Sequence, residues 1–146
     1  MLKKLLLLFV FLWVVGNVFG GDIPAKVEIN NVIVGNGNVY VAVYSNENDY
    51  KNEQAFVSFI LEPTNTTLVH NLELPEGEYV VSTFQDKNND GRLNSTIFGI
   101  PLEHVGKTNY NLRGVPGNFN RLKMPINNNT TVLIVNMGRV RPLGII

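Results

Sequence analysis

Apolar and polar residues alternate with a period of two along most of the chain after residue 20. In Asn38–Tyr44, for example, Val39, Val41 and Val43 occupy every second position. Successive side chains of a strand point to opposite faces, so this pattern predicts strands with one buried face. Helical periodicity is nearly absent, and the chain is therefore expected to fold mainly from strands.

The alternation predicts about seven strands. Glycine, asparagine and proline separate them, and this spacing of short strands is typical of sandwiches. The sequence therefore predicts an all-β fold, an antiparallel Greek-key β-sandwich. In Asn46–Gln54 a helical turn or a polar loop is expected instead of a strand. The expected strands are Lys26–Val34, Asn38–Tyr44, Ala55–Leu61, Thr66–Leu74, Glu78–Gln85, Phe119–Met124 and Thr130–Val135.

A glycine-rich turn lies between the first two predicted strands. Gly35, Asn36 and Gly37 all tolerate positive φ, as a tight hairpin turn requires. We therefore expect the first two strands to pair as a hairpin.

The N-terminal residues have the pattern of a secretory signal peptide. Lys3 and Lys4 precede an apolar run, Leu5–Val15, and small, turn-prone residues follow up to Gly20. A membrane-spanning helix needs about 20 apolar residues, and this run is shorter. We expect cleavage after Gly20 and no stable membrane insertion afterwards. An uncleaved N-terminal anchor is the alternative.

Residues 21–146 have a normal size for a single domain. Without Lys3 and Lys4, ten Lys and Arg stand against twelve Asp and Glu, and neither sign is clustered. This balance argues against a nucleic-acid partner. The chain has no cysteine, so an exported domain would be stabilised by packing, and by a metal ion if it binds one. The expected location is secreted or periplasmic.

One acidic loop has the spacing of a calcium site. The segment QDKNNDGRLN matches the D-x-[DN]-x-[DN]-G pattern, in which alternate oxygen ligands surround a hard cation. The glycine of the pattern is Gly91, at the sharp turn. The ligands expected here are the side chains of Asp86, Asn88, Asp90 and Asn94 and the carbonyl group of Arg92.

The loop also departs from that pattern. Ile97 replaces the bidentate glutamate of an EF-hand, so the affinity for calcium should be weak and the role structural. Asp49 or Glu103 could supply the missing carboxylate. The alternative is a polar turn without an ion, because Asp, Asn and Gly are common in turns for conformational reasons.

The long connection Ser95–Asn118 has no clear strand pattern. Connections of this length are often functional. We expect either a lid or ligand surface formed by Tyr110, Arg113 and Phe119, or a crossover whose aromatic side chains pack on the sandwich.

Catalytic motifs are missing from the sequence. His70 and His104 stand alone, without a nucleophile motif or a metal-binding histidine pair. We therefore expect an exported, non-catalytic binding module whose partner is a protein, peptide or glycan of the cell envelope. The alternatives are a carbohydrate-binding module and a small secreted hydrolase that uses residues 95–118 as a lid.

Several motifs resemble known families. LPEGEYVVSTF, Leu74–Phe84, resembles the turn and strand of transthyretin-like, or prealbumin-like, sandwiches, in which Pro75 fixes φ and Gly77 permits a bend. Together with VYVAVYSNE, FGIP and GVPGNFNRLKM, it is similar to an uncharacterised family of secreted bacterial proteins, domain of unknown function two-one-four-one. The resemblance implies a sandwich and export, and it supplies no activity.

Overall fold

The structure is a computed structural model that describes residues 21–144. This part of the chain folds into eight strands and two short helices. The strands are β1 (Ile23–Asn30), β2 (Val39–Tyr44), β3 (Val57–Leu61), β4 (Leu68–Leu74), β5 (Gly77–Gln85), β6 (Val105–Lys107), β7 (Met124–Ile126) and β8 (Val132–Asn136). The helices are α1 (Glu47–Lys51) and α2 (Phe119–Leu122).

The strands form two sheets. One sheet has three strands in the order β4-β1-β8, and the other contains β3-β2-β5-β6, with β7 paired to the start of β5. All strand pairs are antiparallel except β1 with β8, which run parallel. The predicted all-β sandwich is confirmed, with eight strands in place of about seven.

The core lies between the sheets. Val39, Val41 and Val43 of β2 are all at most 3% exposed, which confirms the face predicted from the alternation. Val27 of β1 and Leu133 of β8, both fully buried, belong to the same apolar cluster. Burying such side chains contributes roughly 1.5 to 3 kcal/mol each, so this layer supplies most of the stabilisation.

The expected hairpin between the first two strands is wrong. β1 ends at Asn30, four residues earlier than predicted, and it belongs to the three-stranded sheet, whereas β2 belongs to the five-stranded sheet. Gly35 and Gly37 do have positive φ, but they serve a crossover between the sheets. Gln85 stabilises this crossover, because its amide binds the backbone N–H and carbonyl of Ile33 and the carbonyl of Gly37.

The strand expected at Phe119–Met124 is also wrong. Residues 119–122 form α2, which begins where the Asn118 side chain accepts a hydrogen bond from the backbone N–H of Arg121. Phe119 and Leu122, three positions apart, are both buried, as expected for one helical face. β7 begins only at Met124.

Two further segments adopt regular structure. The helical turn considered for Asn46–Gln54 is present as α1, capped by Asn46, whose side chain accepts from the backbone N–H of Asp49. Within the long connection after residue 95, β6 pairs with Ser82–Phe84 of β5. This connection therefore contributes a strand to the sheet.

The LPEGEY segment is closed by its tyrosine. The hydroxyl group of Tyr79 donates a 2.7 Å hydrogen bond to the carbonyl of Pro75, while the ring is buried in the core. The bend lies at Glu76, one residue before the expected position, because Gly77 is already the first residue of β5 and lacks a positive φ. The turn is held by the tyrosine and does not depend on a special glycine conformation.

The predicted signal peptide, residues 1–20, lies outside the described residues. Within residues 21–144, no helix has the length and apolar character needed to cross a bilayer.

Candidate functional site

The acidic loop is folded around the carboxylate of Asp86. This side chain is 1% exposed, and its two oxygens accept hydrogen bonds from the backbone N–H groups of Asp90, at 3.2 Å, and Gly91, at 2.8 Å. Gly91 has the positive φ expected at the sharp turn. The first and sixth positions of the predicted pattern are thus in direct contact.

Three other predicted ligands touch one another. Asp90 Oδ2 accepts hydrogen bonds from the side-chain Nδ2 atoms of Asn94, at 2.9 Å, and Asn88, at 3.1 Å. Asn88 Nδ2 also donates to Asn94 Oδ1 at 3.2 Å. The hydrogen bond from Asn94, together with those from the Arg92 backbone and Asn88, lowers the pKa of Asp90. Asp90 is therefore ionised at neutral pH. The Arg92 backbone N–H donates to Asp90 Oδ1 at 2.8 Å.

Glu103 lies against the same loop. It is 7% exposed, and its two carboxylate oxygens accept from the backbone N–H groups of Lys87, at 3.0 Å, and Asn94, at 3.2 Å. Asp49, the other residue considered for this role, lies in α1, beyond the far end of β2, where its carboxylate accepts a hydrogen bond from the Asn46 side chain. Of the two, only Glu103 is placed beside the loop.

The loop is not a closed acidic cage. Within the described part of the chain, no group of three or more His, Cys, Asp or Glu side chains is arranged to hold a metal ion. Any cation in this loop would therefore need the asparagine amides as ligands. An amide group turned by 180° presents its oxygen where its nitrogen was, so the asparagines could take that role.

The expected aromatic ligand surface needs a correction. Tyr110 and Phe119 are 7% and 6% exposed, because they pack with Val80 and Leu122 on the outer face of the five-stranded sheet. Only Arg113 of the three predicted residues is exposed. The crossover interpretation of these aromatic residues is thus the one that the structure supports.

The two histidines occupy separate places. His70 of β4 stacks on Phe59 of β3, with 3.9 Å between the ring centroids. His104 precedes β6, and burial, with a smaller effect of Arg139, lowers its pKa. His70 therefore has a packing contact, and His104 favours its neutral form.

A groove runs along the outer face of the five-stranded sheet, bordered by α1 and by the connection that follows β6. It consists of two adjoining pockets. The first, of about 480 Å³ and here named the apolar pocket, lies between β5, β6, the 93–101 segment and the C-terminal residues. Its apolar lining includes Phe84, Phe98, Ile100, Val105, Val115 and Leu143.

The second pocket, of about 650 Å³ and here named the polar pocket, lies between β2 and α1. Tyr50, Lys51, Glu53 and Ser58 line it together with the ring of Tyr40, which stacks on Phe84 at 4.9 Å. Four residues line both pockets: Ser82, Phe84, Leu93 and Lys107.

Lys107 carries the charge at the junction of these pockets. Its Nζ donates a 2.7 Å hydrogen bond to Ser82 Oγ and lies 5.0 Å from the centroid of the Tyr50 ring. Burial lowers the pKa of Lys107 to about 8, with Glu53 opposing that shift. Burial also raises the pKa of Tyr50 and of Tyr44, so both hydroxyl groups are neutral.

Sequence reasoning missed this groove. It treated residues 95–118 as a connection without strands, and the contact between Ser82 and Lys107 depends on the pairing of β5 with β6. The available signal was Val105–Lys107, a short run in which a lysine follows apolar and small residues. Too short to show alternation, this run gave no basis for a strand.

Neither the curated proteins nor the solved structures include a significant match to this chain. Residues 27–133 match the sequence profile of a family described as an uncharacterized protein conserved in bacteria. This match covers the sandwich from β1 into β8, including the acidic loop and most of the groove. The chain therefore belongs to the family described as an uncharacterized protein conserved in bacteria (DUF2141).

Proposed function

We propose that this protein is an exported, non-catalytic binding module that holds an apolar ligand in the groove of its five-stranded sheet. The observation that carries the proposal is the apolar pocket of about 480 Å³, walled by the 93–101 segment and the C-terminal residues. Small-molecule sites are concave, mostly apolar and some 300 to 1,000 Å³ in volume.

The rim of the pocket supports this function. Phe98, Val115 and Leu143 line the pocket and are 83%, 81% and 78% exposed. Large apolar side chains grouped on a surface are typical of interaction sites. A bound apolar molecule would cover these side chains and thereby remove an unfavourable contact with water.

The proposal is tested with Nile red, a neutral dye that fluoresces in apolar surroundings. We expect the folded domain to bind the dye, and Phe98→Asp to weaken the affinity about tenfold or more, because a carboxylate would enter the apolar wall. Ile97→Asp is the matched control, since Ile97 is the neighbouring residue, is 94% exposed and does not line the pocket.

Two outcomes would contradict the groove function. One is a folded domain that leaves the fluorescence of Nile red unchanged. The other is an equal loss of affinity in Phe98→Asp and Ile97→Asp, which would indicate non-specific adsorption to the exposed loop.

The second part of the proposal is a weak structural calcium ion in the Asp86–Asn94 loop. Support comes from the mutual contacts of Asn88, Asp90 and Asn94 and from the adjacent carboxylate of Glu103. The carboxylate oxygens of Asp86 and Glu103 each accept one backbone hydrogen bond and have a second lone pair. Calcium would supply a hard charge that neutralises these buried carboxylates and keeps the loop rigid.

The third part is a sandwich of the Greek-key, transthyretin-like type. It is supported by two sheets of antiparallel character and by the buried Tyr79, which closes the Leu74–Tyr79 turn onto Pro75. An experimental structure tests it, since a transthyretin-like sandwich requires the same strand order after superposition. A different strand order would contradict the transthyretin-like type, although the protein would still be a β-sandwich.

Export is tested by expressing the full chain in a bacterium and measuring the mature protein by mass spectrometry. Cleavage after Gly20 predicts an N-terminus at Gly21 in the periplasmic or secreted fraction. An intact N-terminus in the membrane fraction would instead favour the uncleaved anchor.

A small hydrolase is the second candidate function, because Lys107 contacts Ser82 in the groove. A lysine with a lowered pKa can accept the proton of a serine nucleophile. Turnover of p-nitrophenyl esters that disappears in Ser82→Ala would establish this activity and replace the non-catalytic proposal. We expect the parent protein and Ser82→Ala to turn over the esters at the same low rate.

A further inference from the structure

We propose that the groove binds a single-chain amphiphile with a carboxylate head group, whose apolar chain occupies the apolar pocket while Lys107 and Ser82 hold the carboxylate. This inference rests on the proposed function, since it names the chemical class of the ligand in the same groove. Its basis is the environment of Lys107, the position of that residue in the groove and the local balance of charge.

In the part of the chain that the structure describes, Lys107 forms no salt bridge with a carboxylate. Within residues 21–144 the side-chain salt bridges are Lys51 with Glu47 and Lys123 with Glu78, and Lys107 takes part in neither. Its ammonium group contacts a neutral hydroxyl group and an aromatic ring. Glu53 lines the same pocket and favours the charged form of Lys107, but it forms no salt bridge with it. A partly buried cation without a contacting anion is unfavourable, and a ligand anion would supply that contact.

The position of Lys107 fits an amphiphile. Lys107 and Ser82 line both pockets, so the ammonium group lies where the apolar pocket meets the polar pocket. A chain in the apolar pocket would thus place its head group beside Lys107. The Ser82 hydroxyl can donate a second hydrogen bond to the carboxylate, while a charge-assisted bond from Lys107 supplies most of the attraction.

The local charges favour a head group with one negative charge. The charged residues that line the polar pocket are Lys51, Glu53 and Lys107, which together carry one positive charge. Lys51 is already 3.4 Å from Glu47, and Glu53 would repel a second negative charge. A dianionic phosphate monoester would therefore fit less well than a carboxylate.

The test compares dodecanoate with dodecanol, which have equal chains and differ in the head group. Binding to the folded domain is measured by displacement of Nile red at pH 7, below the micelle concentration. We expect dodecanoate to bind about ten to a hundred times more tightly than dodecanol, the range of a charge-assisted hydrogen bond. Dodecyl phosphate, the dianionic comparison, is expected to bind less tightly than dodecanoate.

Variants separate the head group from the chain. Lys107→Met should remove the preference for dodecanoate over dodecanol, because methionine keeps the apolar stem and lacks the ammonium group. Lys107→Arg should retain the preference for the carboxylate. Lys26→Met is the control, since Lys26 lies exposed on β1 in the other sheet.

The outcomes distinguish this inference from the groove function. Equal binding of dodecanoate and dodecanol, or a preference that survives Lys107→Met, would overturn the carboxylate assignment and leave the groove function intact. Tighter binding of dodecyl phosphate would overturn the single-charge assignment. Failure of all three ligands to displace a bound dye would overturn the amphiphile class, and absence of dye binding would overturn the groove function itself.

Discussion

Glu103 and Asn94 are joined by a 3.2 Å hydrogen bond from the Asn94 backbone N–H to the glutamate side chain. The other carboxylate oxygen of Glu103 accepts from the Lys87 backbone N–H at 3.0 Å. One buried carboxylate thus holds both ends of the acidic loop. Because Leu93 lines both pockets of the groove, this contact also connects the loop to the groove wall.

We expect Glu103→Ala to lower the free energy of unfolding by about 1 to 3 kcal/mol, because two backbone N–H groups would lose their acceptor. Amide exchange should become faster at Lys87 and Asn94 in particular. Chemical denaturation and hydrogen exchange measure the two effects. Glu76→Ala is the control, since Glu76 is exposed in the turn before β5, and equal effects of both substitutions would contradict the assigned role.

Gly37 approaches the backbone of the acidic loop closely. A Cβ atom at this position would lie 1.8 Å from the carbonyl oxygen of Asp86, and φ is +89°. We expect Gly37→Ala to destabilise the fold by about 3 kcal/mol or more, from the steric overlap and from the backbone conformation together.

Gly35→Ala provides the matched comparison. Gly35 has φ +74°, yet a Cβ atom there would have no neighbour within 4 Å. Gly35→Ala should lower the free energy of unfolding by only about 1 to 2 kcal/mol, the cost of a positive φ for alanine. Thermal and denaturant unfolding of the two variants measure the difference, and equal losses would show that the contact with Asp86 is unimportant.

Alternation along the chain predicted the sheet faces well, and it predicted sheet membership poorly. A period of two identifies which side of β2 is buried, but an inward-facing residue fits either sheet of a sandwich. The pairing of β1 with β4 and β8 depends on contacts between distant residues, so the glycine turn after β1 was misread as a hairpin. α2 was missed because a single helical turn is too short for a periodic signal.

The sequence brought together the residues of the acidic loop and missed the groove, because only the loop contacts are local. The spacing of Asp86, Asn88, Asp90 and Asn94 lies within one loop, so local sequence was enough to bring these residues together. Lys107 and Ser82 are 25 positions apart and meet only through the register of β5 with β6. A groove built from such long-range pairings leaves no local pattern in the sequence.

Calcium should raise the midpoint of thermal unfolding if the acidic loop binds the ion in the folded state. A native-state ligand stabilises by mass action, so a site of millimolar affinity should respond at several millimolar calcium. Asp90→Asn should abolish the shift, because Asp90 contacts both asparagines of the loop.

Asp49→Asn is the control for the calcium experiment, since Asp49 lies in α1 and should leave the shift unchanged. An unchanged midpoint in the parent protein would mean that the loop is a polar turn held by Asp86 and Glu103 without an ion. A shift that survives Asp90→Asn would place the ion elsewhere.

Tyr79→Phe tests how the turn before β5 is held. The substitution removes the 2.7 Å hydrogen bond to Pro75 and keeps the buried ring, so we expect a loss of about 0.5 to 1.5 kcal/mol in the free energy of unfolding. Denaturant titration measures it. The same substitution at the partly buried Tyr40, whose ring stacks on Phe84, should change stability less, and a reversed order would contradict the role of the Tyr79 hydroxyl group.

Lys107 should lower the stability of the fold at neutral pH. Its pKa falls from 10.5 to about 8 on folding, so burial penalises the charged form. One pKa unit corresponds to about 1.4 kcal/mol, and contacts with Ser82 and Tyr50 return part of the loss. We therefore expect Lys107→Met to raise the free energy of unfolding by about 1 to 3 kcal/mol at pH 7.

The pH dependence has a definite sign. Between the folded pKa of about 8 and the unfolded value of 10.5, the unfolded state binds more protons at Lys107, so this residue makes stability rise with pH. Glu53, Lys51, Tyr44 and Tyr50 share this part of the groove. These four residues are present in both the parent protein and Lys107→Met, so their contributions to the pH dependence of unfolding largely cancel when the two are compared. The comparison runs from pH 7 to about pH 9.5, below the range in which tyrosine ionises.

We therefore expect the stability advantage of Lys107→Met to stay nearly constant up to about pH 8 and to shrink from there towards pH 9.5. Lys107→Arg should show no such convergence, because arginine stays charged throughout. A Lys107→Met variant that is less stable than the parent at pH 7 would show that the ammonium group stabilises the fold. Lys107 would then be a structural residue, and its position in the groove would no longer support a bound anion.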